Sequence, residues 1–476
     1  MNNCQVFTPT YIVDLMLDML GYKDDNIKNK TIFEPSFGEG AFLIAIVNRI
    51  LTYSKKQKLT HKETIGILDN VYGVEINKQC YDKTIQKLNE MISDYGLNYK
   101  WQNLVCCNTF HYTPPIKFDF TVANPPYQKI MYMNLSVRNK IKTNYQFTTG
   151  NTDLYIAFFE YCLKIMNSTG KLCFITPNSY FKNSSQASFR KYLSDNNLID
   201  TIIDYSNAKI FGTIATYTAI SLLDFNKETQ LTQYIMMKNK TENKYQSTVD
   251  LKSFGVNPWI FTNSLDTRFL KEIAERKIKL KDLCDIQHGI ATNADKVYVI
   301  GEDDIDKFES DVVKPIVKAS NLDSGNKIIF PYVWDKSINR YVVISEKIMK
   351  EKYPKTYEYL SNHRHILDKR NMERCNTEWY QYARSQGIQN SNNKKFALKH
   401  IISSEDTFCK IKELDENTLV YSGIYIIVKD EKNYNKVKQI LLSKEFCRYL
   451  FLVGRNMAGG YRYVSAKFIK EFGIEI

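Results

Sequence analysis

This 476-residue sequence has few features of a metalloprotein, a disulfide-bonded protein or a membrane protein. Its ten cysteines follow no regular spacing, the Cys-x-x-Cys pattern does not occur, and no histidine pair lies near them at zinc-ligand spacing. No apolar run is long enough to cross a bilayer, and the N-terminus lacks the apolar core of a signal peptide. We therefore expect a cytoplasmic protein with reduced thiols, no metal and no membrane partner.

The formal net charge is +13, and the basic excess is uneven along the chain. Lysine and arginine exceed aspartate and glutamate by 4 in residues 1–230 and by 9 in residues 231–476. Such an excess favours a polyanionic partner whose phosphates are gripped by the C-terminal part. A lysine-rich composition without any such partner is the alternative. The length and ordinary composition allow two or three folded domains.

The most informative segment is Asn124-Pro125-Pro126-Tyr127, which directly follows an apolar run at residues 118–123. The run predicts a buried strand of a parallel sheet, and the prolines predict a stiff, non-helical turn at its end. Open α/β sheets bind ligands at that end. The Asn124 oxygen and the turn carbonyls can accept the two hydrogens of an exocyclic amine, and Tyr127 offers a ring for stacking. This pattern favours methylation of a nucleobase amino group, with a plain surface turn as the alternative.

Two strand-and-turn segments upstream indicate a nucleotide-type α/β unit. A short strand at residues 31–33 runs into Glu34-Pro35-Ser36-Phe37-Gly38-Glu39-Gly40 and an apolar helix. Glycines let the backbone approach a ligand, but the pattern is not the dinucleotide fingerprint. A second strand at residues 71–74 ends in Glu75, an acidic residue placed to accept both hydroxyls of a ribose. An exposed glutamate at a strand end is the alternative for Glu75.

Three further residues are weaker candidates. Asn108 lies near the end of a third predicted strand and can hydrogen-bond an adenine edge. Thr8 is a good N-cap for the first predicted helix. The alternative is that the turn containing Thr8 closes over a cofactor. Phe211 lies in a loop between two further predicted strands.

Strands and helices alternate over residues 1–230, which predicts one α/β domain. Residues 231–262 are polar and mixed, which predicts a linker. From residue 263 the apolar runs shorten, and loops hold aromatic and basic residues together, at residues 379–386, 394–395, 399–400 and 459–463. Such a mixture suits DNA phosphates and base edges. An α+β domain with a solvated basic surface is the alternative.

In this order, the segments resemble those of amino-group DNA methyltransferases of the gamma arrangement, the adenine-N6 enzymes of restriction–modification systems. The matching segments are residues 6–9 and 33–43 for the cofactor motifs, residues 73–77 for the ribose-binding motif and residues 124–127 for the catalytic motif. Two positions depart from the family pattern. Ser36-Phe37 replaces the usual Ala-Cys, and Asn108 stands where the family usually has aspartate.

The resemblance implies a class I S-adenosylmethionine-dependent methyltransferase fold, with a Rossmann-like, mostly parallel seven-stranded sheet and an α+β target-recognition domain at residues 263–476. It implies methyl transfer from S-adenosylmethionine to N6 of an adenine flipped out of double-stranded DNA. The catalytic residues would be Asn124, Pro125, Pro126 and Tyr127. The cofactor-binding residues would be Thr8, Glu34, Pro35, Ser36, Phe37, Gly38, Gly40, Glu75, Asn108, Asn124 and Pro126. Tyr127 and Phe211 would stack on the target base.

The resemblance further implies a monomer whose cognate restriction endonuclease is a partner in function but not in physical contact. Two alternatives of other kinds stay open. RNA methyltransferases and protein-glutamine methyltransferases share the Asn-Pro-Pro-Tyr turn, and a DNA-binding subunit could retain an inactive cofactor fold. The sequence carries no convincing nuclease motif, so we expect no fused endonuclease.

Overall fold

The computed structural model describes residues 8–206, 210, 217–318, 321–323, 325–370, 378–384, 387–389, 393–404, 406–421, 423–457 and 460–475. The chain divides into two compact units, Met1–Ser264 and Leu265–Ile476. No helix within these described ranges is both long and apolar enough to cross a membrane.

The first unit is a mixed α/β unit. Its strands are β1 (Ile32–Glu34), β2 (Val71–Glu75), β3 (Leu104–Cys106), β4 (Phe118–Ala123), β5 (Met166–Pro177), β6 (Ile199–Asp204), β7 (Thr218–Asp224), β8 (Leu231–Met237) and β9 (Asn243–Asp250). Its helices are α1 (Thr10–Leu20), α2 (Asp25–Asn29), α3 (Ala41–Lys56), α4 (His61–Leu68), α5 (Lys78–Asp94), α6 (Leu135–Asn144), α7 (Leu154–Ile165) and α8 (Ala187–Asp195).

The nine strands described in this unit form one sheet in the order β3-β2-β1-β4-β5-β7-β6-β8-β9. Strands β3, β2, β1, β4 and β5 are parallel neighbours, whereas β7 runs antiparallel to both β5 and β6. The strand order reverses between β1 and β4, which places a topological switch point at their carboxyl ends. The prediction of seven strands was wrong, because two more strands extend the sheet.

The extra strands come from the predicted linker. Residues 231–262 contain β8, which pairs with β6 in parallel, and β9, which pairs with β8 antiparallel. Along β8, Thr232 and Tyr234 are buried, while Leu231 and Gln233 are exposed. Strands with one solvated face have many polar residues, and this composition suggested a linker. The prediction of a linker at residues 231–262 was wrong.

Helices cover both faces of the sheet. On one face, α1 and α3 pack their apolar residues against β1 and β4. On the other face, α7 is buried along its whole first two turns, at residues 154–162. A helix that is apolar all round belongs in a core. Within it, the buried Glu160 accepts hydrogen bonds from the backbone N–H groups of Gln146 and Phe147, at 3.1 and 3.0 Å.

The second unit combines short strands and helices. Its strands are β10 (Ile278–Lys279), β11 (Cys284–His288), β12 (Val299–Ile300), β13 (Val313–Lys318), β14 (Lys327–Ile329), β15 (Tyr332–Asp335), β16 (Arg340–Val343), β17 (Lys395–Leu398), β18 (Ile401–Ile402), β19 (Ile411–Leu414), β20 (Leu419–Tyr421), β21 (Ile424–Val428), β22 (Arg455–Asn456), β23 (Arg462–Tyr463) and β24 (Gly473–Ile474). Its helices are α9 (Ser264–Glu275), α10 (Leu280–Leu283), α11 (Asp295–Tyr298), α12 (Glu346–Lys352), α13 (Pro354–Asn362), α14 (Arg364–Leu367), α15 (Tyr434–Leu441), α16 (Lys444–Val453) and α17 (Ala466–Lys470).

Short sheets replace a single large sheet in this unit. Within its described residues, four strands associate in the order β11-β21-β17-β19, and four others in the order β12-β14-β13-β20. A three-stranded sheet, β18-β23-β22, lies in the C-terminal part of the sequence. Apolar residues from β12, β13, β14 and α13 share one core cluster.

Candidate functional site

A cavity of about 710 Å³ opens in the first unit where β1, β2, β3 and β4 end. Most of the predicted site residues line it: Thr8, Glu34, Ser36, Phe37, Gly38, Glu75, Asn108, Asn124, Pro125, Pro126 and Tyr127. Pro35 and Gly40 belong to the same turn after β1 but are not among the lining residues. Phe211 lies outside the described residues. The cavity therefore gathers segments that are far apart in the sequence.

Glu75 connects the end of β2 to the turn after β1. Its Oε2 accepts a hydrogen bond from the Gly38 N–H, and its Oε1 accepts one from the Asn77 N–H, both at 2.7 Å. Glu75 is buried. A buried carboxylate needs such donors, and two backbone N–H groups hold both oxygens in place. The side chain thus fixes the shape of one wall of the cavity.

Two glycines make this turn possible. Gly38 and Gly40 adopt φ values of 52° and 84°, in the left-handed region. A Cβ atom on Gly40 would lie 2.5 Å from Thr84 Cγ2, whereas one on Gly38 would meet nothing within 4 Å. Gly40 is therefore required for packing against α5. Gly38 is required by its backbone angle alone, and it leaves open space beside the cavity.

Glu34 is an unusual member of the lining. It is 2% exposed, and its Oε2 has no hydrogen-bond partner among the described residues. Burial, followed by the nearby Glu75 carboxylate, raises the pKa of Glu34 well above its usual value, although a hydrogen bond from the Leu43 backbone opposes this. An incompletely paired buried carboxyl group at a cavity wall suits a cationic group of a ligand.

We predict that Glu34→Gln stabilises the protein at neutral and alkaline pH. Because the pKa is higher in the folded chain than in the unfolded chain, Glu34 destabilises the fold as pH rises above its ordinary value of 4.5. Removing the charge should raise Tm by about 3 °C at pH 8, and the gain should shrink as pH falls toward 4.5. Calorimetry across this range measures the effect. Glu39→Gln, on a more exposed carboxylate of the same turn, is the control, and an equal gain in both variants would contradict the explanation.

The Asn-Pro-Pro-Tyr turn follows β4, whose predicted position is confirmed. Asn124 Nδ2 donates a hydrogen bond to Thr8 Oγ1 at 3.0 Å. Because the amide nitrogen and oxygen point in different directions, this bond turns the amide oxygen away from Thr8. The half-buried Tyr127 donates its hydroxyl proton to the Ile175 carbonyl of β5 at 3.2 Å, which fixes its ring at the cavity wall. Burial raises the pKa of Tyr127 well above its usual value, so the hydroxyl stays a donor.

Asn108 caps a short 3₁₀ helix at Thr109–His111. Its Oδ1 accepts a hydrogen bond from the Phe110 N–H at 3.0 Å. The amide oxygen therefore already has one local partner at the cavity wall. The amide nitrogen, which is a donor only, is the other polar group that this side chain can offer to a ligand.

One wall of the cavity was not predicted from the sequence. Residues 128–150 are polar, yet they contain α6, capped by Asn134, whose Oδ1 accepts a hydrogen bond from the Ser136 N–H at 3.0 Å. This helix lines the cavity with Ser136, Val137, Lys140, Ile141 and Asn144. The N-cap residue Asn134 is a local signal that could have revealed it, but the face that lines the cavity mixes polar and apolar residues.

The aromatic residues of the predicted DNA-binding stretch at residues 379–386 have a different role. Tyr380 and Tyr382 are fully buried, and their hydroxyl groups donate to the carbonyls of Ile344 and Ile329 at 2.7 and 2.6 Å. Lys395, in another basic stretch, is also buried, and burial lowers its pKa to about 8. These residues stabilise the core of the second unit rather than forming an exposed surface.

Other basic residues of this unit are exposed and close together. Helix α17 packs beside β11 and brings Lys470 near His288. The backbone N–H of Arg384 donates to the Ala291 carbonyl at 3.1 Å, just beyond His288. Partial burial lowers the pKa of His288, and the positive charges of Lys470 and Arg384 lower it further. Neither Lys470 nor Arg384 forms an ion pair with a described carboxylate.

The positive surface continues onto the three-stranded sheet. His400 and Tyr463 have ring centroids 5.2 Å apart, and the Arg455 guanidinium lies 5.2 Å from the Tyr463 ring centroid. Burial, followed by the nearby His288, lowers the pKa of His400. We call this set the basic surface: His288, Arg384, His400, Arg455 and Lys470. Its exposed cations lie without carboxylate partners in the described chain, so they can bind an external anion.

Comparison with known proteins gives consistent matches. Residues 39–211 match the family described as Eco57I restriction-modification methylase. The Type II methyltransferase M.BstVI of Geobacillus stearothermophilus is 24% identical over 98% of this chain and 89% of its own length. The Type II methyltransferase M.PaeR7I of Pseudomonas aeruginosa is 21% identical over 98% of this chain and 85% of its own length. The two curated relatives match over both units, whereas the family match lies within the first unit.

A solved structure has a similar fold. The Type IIL restriction-modification enzyme MmeI, determined in complex with DNA, aligns with a TM-score of 0.64 at 14% identity. The alignment covers 96% of this chain and 65% of that chain, so this chain spans less than two thirds of MmeI. Residues 39–211 thus match the Eco57I restriction-modification methylase family, and the chain as a whole is similar to Type II methyltransferases.

Proposed function

We propose that this chain is a site-specific DNA methyltransferase that transfers a methyl group from S-adenosylmethionine to N6 of an adenine flipped out of double-stranded DNA. It would be the modification enzyme of a restriction–modification system, acting as a monomer and separate from any cognate endonuclease. One observation carries the proposal. The Asn-Pro-Pro-Tyr turn and the carboxylates Glu34 and Glu75 face the same cavity at the switch point of the sheet. The names of the curated relatives support the same class of activity.

The residues present fit S-adenosylmethionine. Its sulfonium and amino groups are cationic, and the incompletely paired Glu34 carboxyl group is suited to a cation. Glu75 has both oxygens fixed by backbone donors and keeps lone pairs that can accept the ribose hydroxyls. The open backbone at Gly38 allows close approach, and Asn108 would contact the adenine edge. When bound, the cofactor would supply a methyl group on a good leaving group.

The chain's own residues would activate the acceptor. An exocyclic amine is a poor nucleophile because its lone pair is delocalised into the ring. Hydrogen bonds from N6 to the Asn124 side-chain oxygen and the Pro125 carbonyl would localise that lone pair and aim it at the methyl carbon. The new N–C bond would form as the S–C bond breaks, and the proton that the amine loses would pass to solvent water. This is catalysis by positioning and electrostatic stabilisation.

Tyr127 would hold the flipped adenine. Its ring is fixed by the hydroxyl contact to Ile175, so it presents a constant face to a planar base. A base that leaves the DNA duplex loses its stacking on the neighbouring bases, and stacking on an aromatic side chain restores part of that energy. Phe211 is proposed as a second stacking residue on the strength of the family resemblance.

We further propose that residues 1–230 carry catalysis and that the second unit reads the target. The basic surface supports a DNA-reading role for the second unit, because cations without carboxylate partners can bind phosphate oxygens and base edges. We predict that Arg384→Ala, Arg455→Ala and Lys470→Ala each weaken DNA binding about 3- to 10-fold. In each variant, the number of phosphate contacts calculated from the salt dependence of the binding constant should fall by about one. Fluorescence anisotropy across a salt series measures both. Cofactor affinity should not change.

Lys432→Ala is the matched control for these variants. Lys432 is exposed but forms an ion pair with Asp430 at 2.7 Å. The substitution lowers the net charge by one, but the lost ammonium group was already paired with Asp430 and was not available to a phosphate. Equal weakening by this control would mean that only net charge matters, and the basic surface would then have no special role.

The proposed reaction is tested with radiolabelled S-adenosylmethionine. The purified protein is offered duplex DNA, transfer and ribosomal RNA, or a protein extract, and the labelled product is digested and separated. We expect label in duplex DNA, as N6-methyladenine. Label in RNA or in glutamine side chains would favour the alternative methyltransferase classes, and absence of cofactor binding by calorimetry would favour a DNA-binding subunit.

A further inference from the structure

The segment after the Asn-Pro-Pro-Tyr turn has an uneven charge composition. Residues 120–152 contain no aspartate or glutamate, although they contain Lys129, Arg138, Lys140 and Lys142. Charged residues make up 25% of the whole chain, so a stretch of this length without a carboxylate is uncommon for this protein. Such a segment is complementary to a polyanion.

The same segment exposes large apolar side chains. Met131 is 48% exposed, Tyr132 is 76% exposed and Leu135 is 59% exposed. Leu135 is the first residue of α6, a helix that buries only Ile141. We call Met131, Tyr132 and Leu135 the apolar tip. Neighbouring exposed apolar residues cost solvation free energy and commonly mark an interaction site.

Hydrogen bonds and an ion pair next to the apolar tip hold it in place. Just before it, Ile130 is completely buried and its N–H donates to the Thr152 carbonyl at 3.0 Å. The Leu154 N–H donates to the Gln128 carbonyl at 2.8 Å, which ties the two ends of the segment together. Lys129 adds an ion pair with Asp153 at 2.6 Å. The tip is therefore held in place and does not need to be ordered when a partner binds.

The location of the tip relates it to the cavity. Gln128 and Met133 line the cavity on either side of residues 129–132, and α6 lines it further along the chain. The segment thus forms part of the cavity wall and also projects apolar side chains to the solvent. A duplex whose base enters this cavity would lie against that projection.

We propose that the apolar tip is a wedge that enters the duplex beside the extruded adenine, with Tyr132 stacking on the bases that the adenine leaves behind. The inference rests on the proposed function, because it assumes that a base is flipped into the cavity. Arg138, Lys140 and Lys142 would contact the flanking phosphates, whereas Lys129 is paired with Asp153. Apolar wedges that separate base steps are a known means of stabilising distorted DNA. The tip acts by positioning the DNA and does not touch the reacting atoms.

The test uses the purified full-length protein and a duplex carrying its recognition sequence, with 2-aminopurine in place of the target adenine. The fluorescence of this analogue rises when the base leaves the stack. We expect Tyr132→Ala to reduce the fluorescence increase and to slow methylation of a normally paired target about 10-fold. Tyr132→Phe keeps the ring and should retain both signals. Leu231→Ala, at another exposed apolar position of the same unit, should change neither.

A mispaired target distinguishes a wedge from a merely structural residue. A mismatch lowers the cost of flipping, so Tyr132→Ala should recover most of its methylation rate on a mispaired adenine. An equal loss on paired and mispaired targets would overturn the proposal. So would a change in oligomeric state by ultracentrifugation, which would make the tip an interface between copies of this chain. If the wild-type protein methylates no DNA, the proposed function itself fails, and that outcome is visible before any variant is made.

Discussion

Asn124→Ala should reduce methyl transfer by about 10²- to 10³-fold or more while leaving affinity for S-adenosylmethionine within a few-fold of wild type. The substitution removes the side-chain oxygen that we propose accepts a hydrogen bond from the adenine amino group. Alanine cannot replace it, and the Pro125 carbonyl alone cannot hold both hydrogens. Single-turnover rates with excess enzyme and calorimetric titration with the cofactor measure the two effects separately.

Two further variants sharpen this result. Asn144→Ala changes the same type of side chain on another wall of the cavity and should keep most of the activity. Thr8→Val removes the hydroxyl that accepts the 3.0 Å hydrogen bond from Asn124 Nδ2, and it should give an intermediate loss of rate, because the amide oxygen is then less well oriented. Full activity in Asn124→Ala would contradict the proposed mechanism.

Glu75→Ala should weaken cofactor binding by about 100-fold or more, which is the largest binding effect that we expect for a single residue. Two contributions add. The ribose hydroxyls lose their acceptors, and the N–H groups of Gly38 and Asn77 lose the carboxylate that holds the turn in its shape. Calorimetric titration with S-adenosylmethionine measures the loss, and Tm reports how much of it comes from a looser fold.

Glu39→Ala is the matched control for this prediction. Glu39 also lines the cavity, but its carboxylate is more exposed and lies 3.8 Å from the Lys83 ammonium. It should change cofactor affinity by less than about threefold, as expected for a solvated charge. If both variants bind equally well, the ribose-binding role of Glu75 would have to be abandoned.

The sequence predicted the part of the fold that depends on local pattern. The strand before the Asn-Pro-Pro-Tyr turn, the strand ending at Glu75 and the two strands predicted on either side of Phe211 are confirmed as β4, β2, β6 and β7. Each is a short apolar run bounded by turn residues, so its neighbours along the chain are enough to specify it. The gathering of the predicted site residues around one cavity follows from the same pattern, because parallel strands end at one edge.

The remaining features depend on contacts that are distant in sequence. Strands β8 and β9 have a solvated face, so their polar composition resembles that of a linker. Their strand structure depends on pairing with the edge of a sheet that is formed by residues distant in sequence. Helix α6 has one buried residue and therefore almost no apolar periodicity. Tyr380 and Tyr382 lie in a polar stretch close to Arg384 in the sequence but are buried by strands from elsewhere in the second unit. The closeness of Glu34 to Glu75 depends on the parallel pairing of β1 with β2, which the sequence alone does not specify.

Long-read modification mapping can locate modified bases in DNA from cells that express this protein. We expect N6-methyladenine at one adenine of a recurring sequence, present with the wild-type chain and absent with Asn124→Ala. DNA without any new modified base in cells that contain folded wild-type protein would disprove the proposed methyltransferase activity. A modified base that persists in the Asn124→Ala strain would disprove the role of Asn124.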